Sequence, residues 1–310
     1  MVNRNYFQYR SRGNIIVMLY FITMGDNKFT IELYLDCIRK VINFPVKIIS
    51  YEEAVMVRSF KDAVMIFCDI ERFTEDWISA PRKLYDKIVS DGPKRILNNP
   101  WKSLRRYELL KKLKEEGINS FNIHRPPVEG KSIKYPVFLR NELDHYGPVS
   151  KLLTSEADLK HQLKSARAHR PGPFSPLIVE YCNTSSRDIR YHKYGAFYLW
   201  NTVVPRHLFF CDTWMVKGTN DQLPEDINRE NDYINNNYFQ EQIHNIFKMA
   251  NIEYGRIDFA KTDRGIEVFE INTNPTMLDK GDLQSNRQYV TQFFLTNFTA
   301  VLQKLHDLEL

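Results

Sequence analysis

Residues 256–276 read RIDFAKTDRGIEVFEINTNPT. Two runs of alternating character flank Thr262-Asp263-Arg264-Gly265, so the spacing predicts a β-hairpin. A three-residue loop, Asp263-Arg264-Gly265 with the glycine left-handed, sets Thr262 opposite Ile266. Counting outward pairs Phe259 with Phe269 and Ile257 with Ile271 on one face. The other face then carries Asp258 opposite Glu270 and Arg256 opposite Asn272, and Asn274 continues the series. Directly opposed residues have Cβ atoms ~4.5–5.5 Å apart, where like charges repel. A cation between the strands would explain the acid pair. Mg2+ fits, because it takes oxygen ligands from few carboxylates and fills its other positions with water and phosphate. Asn272 adds a neutral oxygen on the same face, and Arg256 stands beside the ion, placed to stabilise developing negative charge. The plainer reading is a solvated sheet face on which Arg256 neutralises two acids. The apolar flanks, the in-register series to Asn274 and the break at Pro275 favour the site.

The rest of the chain sets bounds. Its 310 residues suffice for two or three lobes. The formal charge of +5 is spread through interspersed acids and bases, a weak preference for anionic ligands. No nucleic-acid-binding module is recognisable. Cys37, Cys68, Cys182 and Cys211 lie far apart with no CxxC pair, which argues against a metal or disulfide framework and fits a reducing cytoplasm. Arg4, Arg10 and Arg12 precede the apolar run IIVMLYFITM. No small-residue cleavage site follows, and the run is too short to span a bilayer, so it reads as a buried first strand.

Continuous apolar runs at 15–22, 46–50 and 63–70 alternate with a helical pattern at 30–42, which predicts a parallel sheet covered on both faces. Residues 1–98 form this small α/β lobe. An amphipathic helix over 101–115 closes at Gly117. A strand at 135–140, a loop carrying Gly147, a helix over 155–169 capped by Ser155 and a strand at 175–183 complete a second lobe, 99–183. The third, 184–310, opens with a hairpin at 194–210 turning at Asn201-Thr202. A polar stretch, 217–232, reads as a mobile loop. A helix over 237–252, the opening hairpin and a last helix over 287–305 follow.

On these residues the chain resembles the ATP-grasp superfamily, whose metal hairpin has an Arg-x-Asp strand followed by a Glu-x-Asn strand. Its relatives include D-alanine–D-alanine ligases, glutathione synthetases and ribosomal-protein glutamate ligases. The resemblance extends over roughly residues 95–310, with an α/β lobe in front. It implies a fold in which two α+β lobes grip ATP. It implies one or two Mg2+ ions, with Asp258, Glu270 and Asn272 as ligands and Glu270 placed to bridge two, and Arg256 as the catalytic arginine. Arg140, in YPVFLR, stands at the position of the phosphate-binding lysine. Glu180, Tyr181 and Cys182 match the hinge that reads adenine, with an acidic side chain reaching the ribose. Asn274 matches a position near the acceptor.

Two departures stand out: arginine replaces lysine at 140, and NELDHYGPVSK has one glycine where the phosphate-covering loop is usually glycine-rich. Arg187, Arg190, Lys193, Arg206 and Lys217 are the bases available for missing phosphate or acceptor contacts. Two registers of the family's Asp-x-Arg pattern fit, so Arg190 and Lys193 are both candidates; a solvated surface charge is the plainer reading of each base. Of the histidines, His192 and His207 flank the predicted hairpin and merit testing; none has metal-motif spacing. The resemblance implies an ADP-forming ligase joining a small-molecule or peptide carboxylate to an amine (or thiol) through an acyl phosphate, with residues 1–98 closing over the acceptor. A small-molecule kinase and a non-catalytic nucleotide-binding protein are the competing readings.

Overall fold

Strands that are apolar throughout must be covered on both faces. The computed structural model, which describes residues 17–127, 132–169, 173–185, 190–217, 223–284 and 287–309, covers them so. Strands β1 (Met18–Thr23), β2 (Val46–Ser50), β3 (Ala63–Phe67) and β4 (Arg95–Leu97) form a parallel sheet in the order β2-β1-β3-β4. Every residue of β3 is buried. Helices α1 (Phe29–Ile38), α2 (Tyr51–Met56) and α3 (Ser79–Asp91) connect the strands, α2 opening with a Ser50–Glu53 capping box. The apolar run read as the first strand is β1, between β2 and β3; Arg4, Arg10 and Arg12 lie outside the described residues.

Helix α4 (Arg106–Glu115) leads to an antiparallel sheet of β5 (Ile123–His124), β6 (Val137–Asn141) and β7 (Pro176–Glu180), ordered β5-β7-β6. Helix α5 (Glu156–His169) follows β6, and the Ser155 hydroxyl accepts the Asp158 N–H at 3.1 Å. The third sheet is antiparallel, with β8 (Tyr191–Leu199), β9 (Thr202–Cys211), β10 (Tyr254–Thr262) and β11 (Gly265–Asn272) in the order β11-β10-β8-β9. Helices α6 (Pro224–Asn236), α7 (Gln240–Ala250), α8 (Lys280–Gln284) and α9 (Gln288–Asp307) complete it. No helix among the described residues is long and apolar enough to cross a membrane.

Most of the stretch expected to be a polar loop is α6. Its buried face is Asp226, Glu230, Tyr233 and Ile234, a helical stripe half of which is acidic. The acids are buried because they are paired: Glu230 takes two hydrogen bonds from Arg287, and Asp226 binds Arg190. Hydrophobic periodicity cannot register such a face. Residues 218–222 lie outside the described residues.

The first and third lobes share one core. Leu19, Phe21, Tyr34 and Ile66 pack with Phe197, Tyr254, Phe294, Phe298 and Leu302. Asn98 stitches the two sheets together, donating to the carbonyls of Phe67 and Tyr254 at 2.9 and 2.8 Å. Residues 1–98 are thus packed against the third lobe along this face. The other face of the first sheet has a cluster of its own, with Ile22, Phe60, Met65, Phe67 and Ile88, and the middle lobe has a smaller one of Val137, Leu139, Leu153, Leu159 and Ile178.

Candidate functional site

The hairpin pairs as the sequence predicts at the polar residues, by an unexpected route. Thr262 faces Gly265 around a two-residue turn, and Phe259 faces Val268 rather than Phe269. A bulge between Asp258 and Phe259 then absorbs one residue of β11. Asp258 faces Glu270, Ile257 faces Ile271 and Arg256 faces Asn272. The residue left over is Phe269, which the bulge turns into the cleft between the second and third lobes.

That cleft has a volume of about 480 Å³. Phe121, Phe138, Val179, Phe269 and Trp214 form an apolar slot beside the hinge Glu180–Cys182. Arg140, Lys193, Lys217, Asp258 and Glu270 line the cleft too. The slot's ring contacts cross lobes: Trp214, after β9, lies 4.9 Å from Phe138 on β6. The covering segments also meet. Lys217 donates to the Tyr146 carbonyl at 2.7 Å, and Gly147, with φ +91°, leaves room where a Cβ would approach the lysine chain to 2.9 Å.

The acid pair is less bare than the sequence suggests. Arg106 and Arg140 both donate to Glu270 Oε2, at 2.6 and 2.8 Å. Asp258 accepts from Arg256 at 2.9 Å on one oxygen and faces the Lys193 ammonium at 3.3 Å on the other. Guanidinium and ammonium groups therefore answer the repulsion for which the sequence asked a metal. Burial would raise the Glu270 pKa, but Arg140 and Arg106 hold it well below the usual range. Burial and the neighbouring Arg140 push Arg106 down to about 10.

Arg106 is a candidate site residue that the sequence reading missed. It is 1% exposed and donates to the carbonyls of Asn141, Glu142 and Asp144, as well as to Glu270. A loop poor in glycine is thus organised by a buried arginine. His145, on the same loop, reaches the first lobe: its Nε2–H donates to Glu71 at 2.9 Å, while Nδ1 accepts from Arg106 at 3.0 Å, a tautomer assigned from this network. Glu71 also accepts from the Thr273 hydroxyl, so all three lobes meet there.

Other predicted residues sit elsewhere. Arg190 pairs with Asp212 and Asp226 and holds α6. Arg206 is buried against Asp282 and the Met277 carbonyl. The Asn274 side chain bonds Thr30, Asp69 and Asn27, tying the hairpin's end to the first lobe. The Glu180 carboxylate is occupied by His124 and the N–H groups of Asn122 and Lys134, so at the ribose its expected role loses support. Arg187 lies outside the described residues. His192 lines the cleft, and His207 lies 3.9 Å from Asp258.

These ionisations predict an acid-labile fold. Burial, reinforced at His207 by surrounding cations, lowers the His192 and His207 pKa values below the usual 6.5. Unfolding lets them take up protons, so their contribution is complete above pH 6.5 and is lost as pH falls below it. Burial opposes ionisation of Glu71, but His145, Arg72 and Thr273 bring it from 4.5 to about 2. That contribution, about 3 kcal/mol, holds above pH 4.5 and is lost towards pH 2. Asp69, raised to about 6 by burial and by Glu71, opposes the trend between roughly pH 4 and 6. Urea unfolding from pH 7.5 to 2.5 should show stability falling on acidification, steepest below pH 4.5; a flat profile to pH 3 would contradict these assignments.

No protein-family model and no curated protein sequence matches the chain. Its architecture, by contrast, is the ATP-grasp fold. It is similar to the D-alanine–D-alanine ligase of Bacillus anthracis complexed with ATP, at a TM-score of 0.52 and 11% identity over 94% of this chain and 99% of that one. It is also similar to the ATP-grasp ligase PsnB complexed with a phosphomimetic variant of its minimal precursor, Mg and ADP (TM-score 0.50, 8% identity, 94% and 100% covered). A third is the macrocyclase MdnC bound with precursor peptide MdnA from Microcystis aeruginosa MRC (TM-score 0.50, 10% identity, 91% and 99% covered).

Proposed function

We propose that the chain is an ATP- and Mg2+-dependent ligase that joins a carboxylate to an amine or thiol through an acyl phosphate. The observation that carries this reading is the cleft, where an apolar slot at a backbone hinge meets Arg140, Lys193 and the Asp258–Glu270 pair. Glu270, through Oε1, and Asn272 offer oxygen donors, which suits Mg2+, while both Asp258 oxygens face Arg256 and Lys193. Among the described residues no group of three or more His, Cys, Asp or Glu side chains is placed to hold a metal, so an ion here would lean on phosphate and water for its remaining positions. When bound, Mg2+ would neutralise charge on the transferring phosphoryl group.

The chain's own residues do the rest. Arg140, released from Glu270, donates to phosphate oxygens, and a planar arginine grips them bidentately, while Arg106 stays buried beneath the loop after β6. Lys217 and the Tyr146–Gly147 loop cover the nucleotide and exclude water that would hydrolyse an acyl phosphate. A substrate carboxylate attacks the γ-phosphorus and ADP leaves; the amine then attacks the acyl carbon and phosphate leaves. Arg256 steadies the oxyanion of the second step. One structural neighbour is held with a variant of its minimal precursor and another with a precursor peptide, so peptide carboxylates belong in the screen beside amino acids. The scattered free cysteines fit a cytoplasmic setting.

The test is isotopic. With 18O-labelled carboxylates, amines, ATP and Mg2+, ligation releases one labelled phosphate per ADP. ADP formation with the phosphoryl group retained on the product would make the enzyme a kinase and overturn the ligase reading.

A further inference from the structure

The resemblance implies one or two metal ions at this hairpin, and the side chains around it bear on the number. Resting on the reading of the cleft as a nucleotide–metal site, we infer that the Lys193 ammonium takes the place of the second divalent cation, so that the nucleotide binds with a single ion.

The two carboxylates are occupied differently. On Asp258 both oxygens face fixed cations: Arg256 Nε at 2.9 Å on Oδ1, and Lys193 Nζ at 3.3 Å on Oδ2. On Glu270 the bonds from Arg106 and Arg140 both fall on Oε2, and among the described residues none falls on Oε1. One carboxylate is thus saturated by side chains, and the other keeps an oxygen for an ion.

Lys193 is also built in. It projects from β8 two residues before Gly195, the partner of Asp258 in the β8–β10 ladder. Its ammonium lies 6.0 Å from the centroid of the Phe209 ring, and it lines the cleft. A lysine held between an aromatic face and a carboxylate is a fixed charge rather than a solvated surface one.

Charge balance points the same way. Arg106, Arg140, Lys193 and Arg256 set four cations against Asp258 and Glu270, an excess of two positive charges. Counting Lys217, which lines the cleft, and Glu71, which His145 joins to the site, adds one charge of each sign and leaves the excess unchanged. A nucleoside triphosphate brings about four negative charges, so one divalent ion restores neutrality. A second would leave two uncompensated positive charges in a buried site, where like charges are expensive.

Mn2+ titration followed by electron paramagnetic resonance, with a non-hydrolysable ATP analogue in excess over protein, counts the ions directly. Wild type should bind one Mn2+ per nucleotide complex, with no spin-coupled pair. Lys193→Met should bind two, and the metal dependence of its nucleotide affinity should steepen from first to second order. Lys193→Arg, which keeps the charge, should return to one. Two coupled ions in wild type, or one in Lys193→Met, overturns the inference and leaves the nucleotide reading standing. No nucleotide binding in wild type overturns both.

Discussion

Replacing Arg106 by methionine is expected to lower the free energy of unfolding by about 3–5 kcal/mol, the range for breaking a buried ion pair from one side. Methionine fills similar space, so the loss is polar. The carbonyls of Asn141, Glu142 and Asp144 lose a shared donor, and Glu270 keeps only Arg140 as a close guanidinium partner. The damage should concentrate in the loop after β6, where hydrogen exchange of residues 141–147 should rise. Urea denaturation measures the global term. A change below about 0.5 kcal/mol, the range of a neutral surface substitution, would mean that Arg106 does not organise the loop.

Gly195→Ala is expected to cost roughly 1–3 kcal/mol, as overpacking of a filled core does. A Cβ there would lie 2.2 Å from His207 Cε1 and 2.3 Å from its Nε2. The ring has little freedom to withdraw, because it stacks on Phe209 at 4.1 Å with an interplanar angle of 3°. Displacing His207 moves the floor beneath Asp258, so nucleotide affinity should weaken as well. His207→Ala in the same background should restore part of the stability by emptying the space. If Gly195→Ala melts with wild type and binds nucleotide equally, the close fit at this position is not a constraint.

What the sequence could show followed from physical periodicity. Strand alternation placed Asp258, Glu270, Arg256 and Asn272 on one face, and the error of one residue at the turn was cancelled by a bulge no spacing rule reveals. Arg106 left a signal that went unread: it begins the buried stripe completed by Leu109, Leu110 and Leu113, an arginine where the helix should bury a hydrophobe. The acidic face of α6 was unreadable for the converse reason, since its partner Arg287 stands far along the chain. The Glu71–His145 contact joins residues from two lobes through a loop, and only the folded chain brings them together. Arg190, Arg206 and Asn274 show the limit from the other side. Residue type and family position suggest substrate contacts, whereas in the structure these side chains are paired with Asp226, Asp282 and Asp69.

The most direct test of the central claim is calorimetric titration of a non-hydrolysable ATP analogue, with and without Mg2+, into wild type, Glu270→Gln and Arg140→Met. The cleft predicts Mg2+-dependent binding to wild type, loss of the Mg2+ dependence in Glu270→Gln, and weakened binding in Arg140→Met with the metal dependence retained. Absence of binding to wild type at millimolar nucleotide, or binding indifferent to both substitutions, would contradict it.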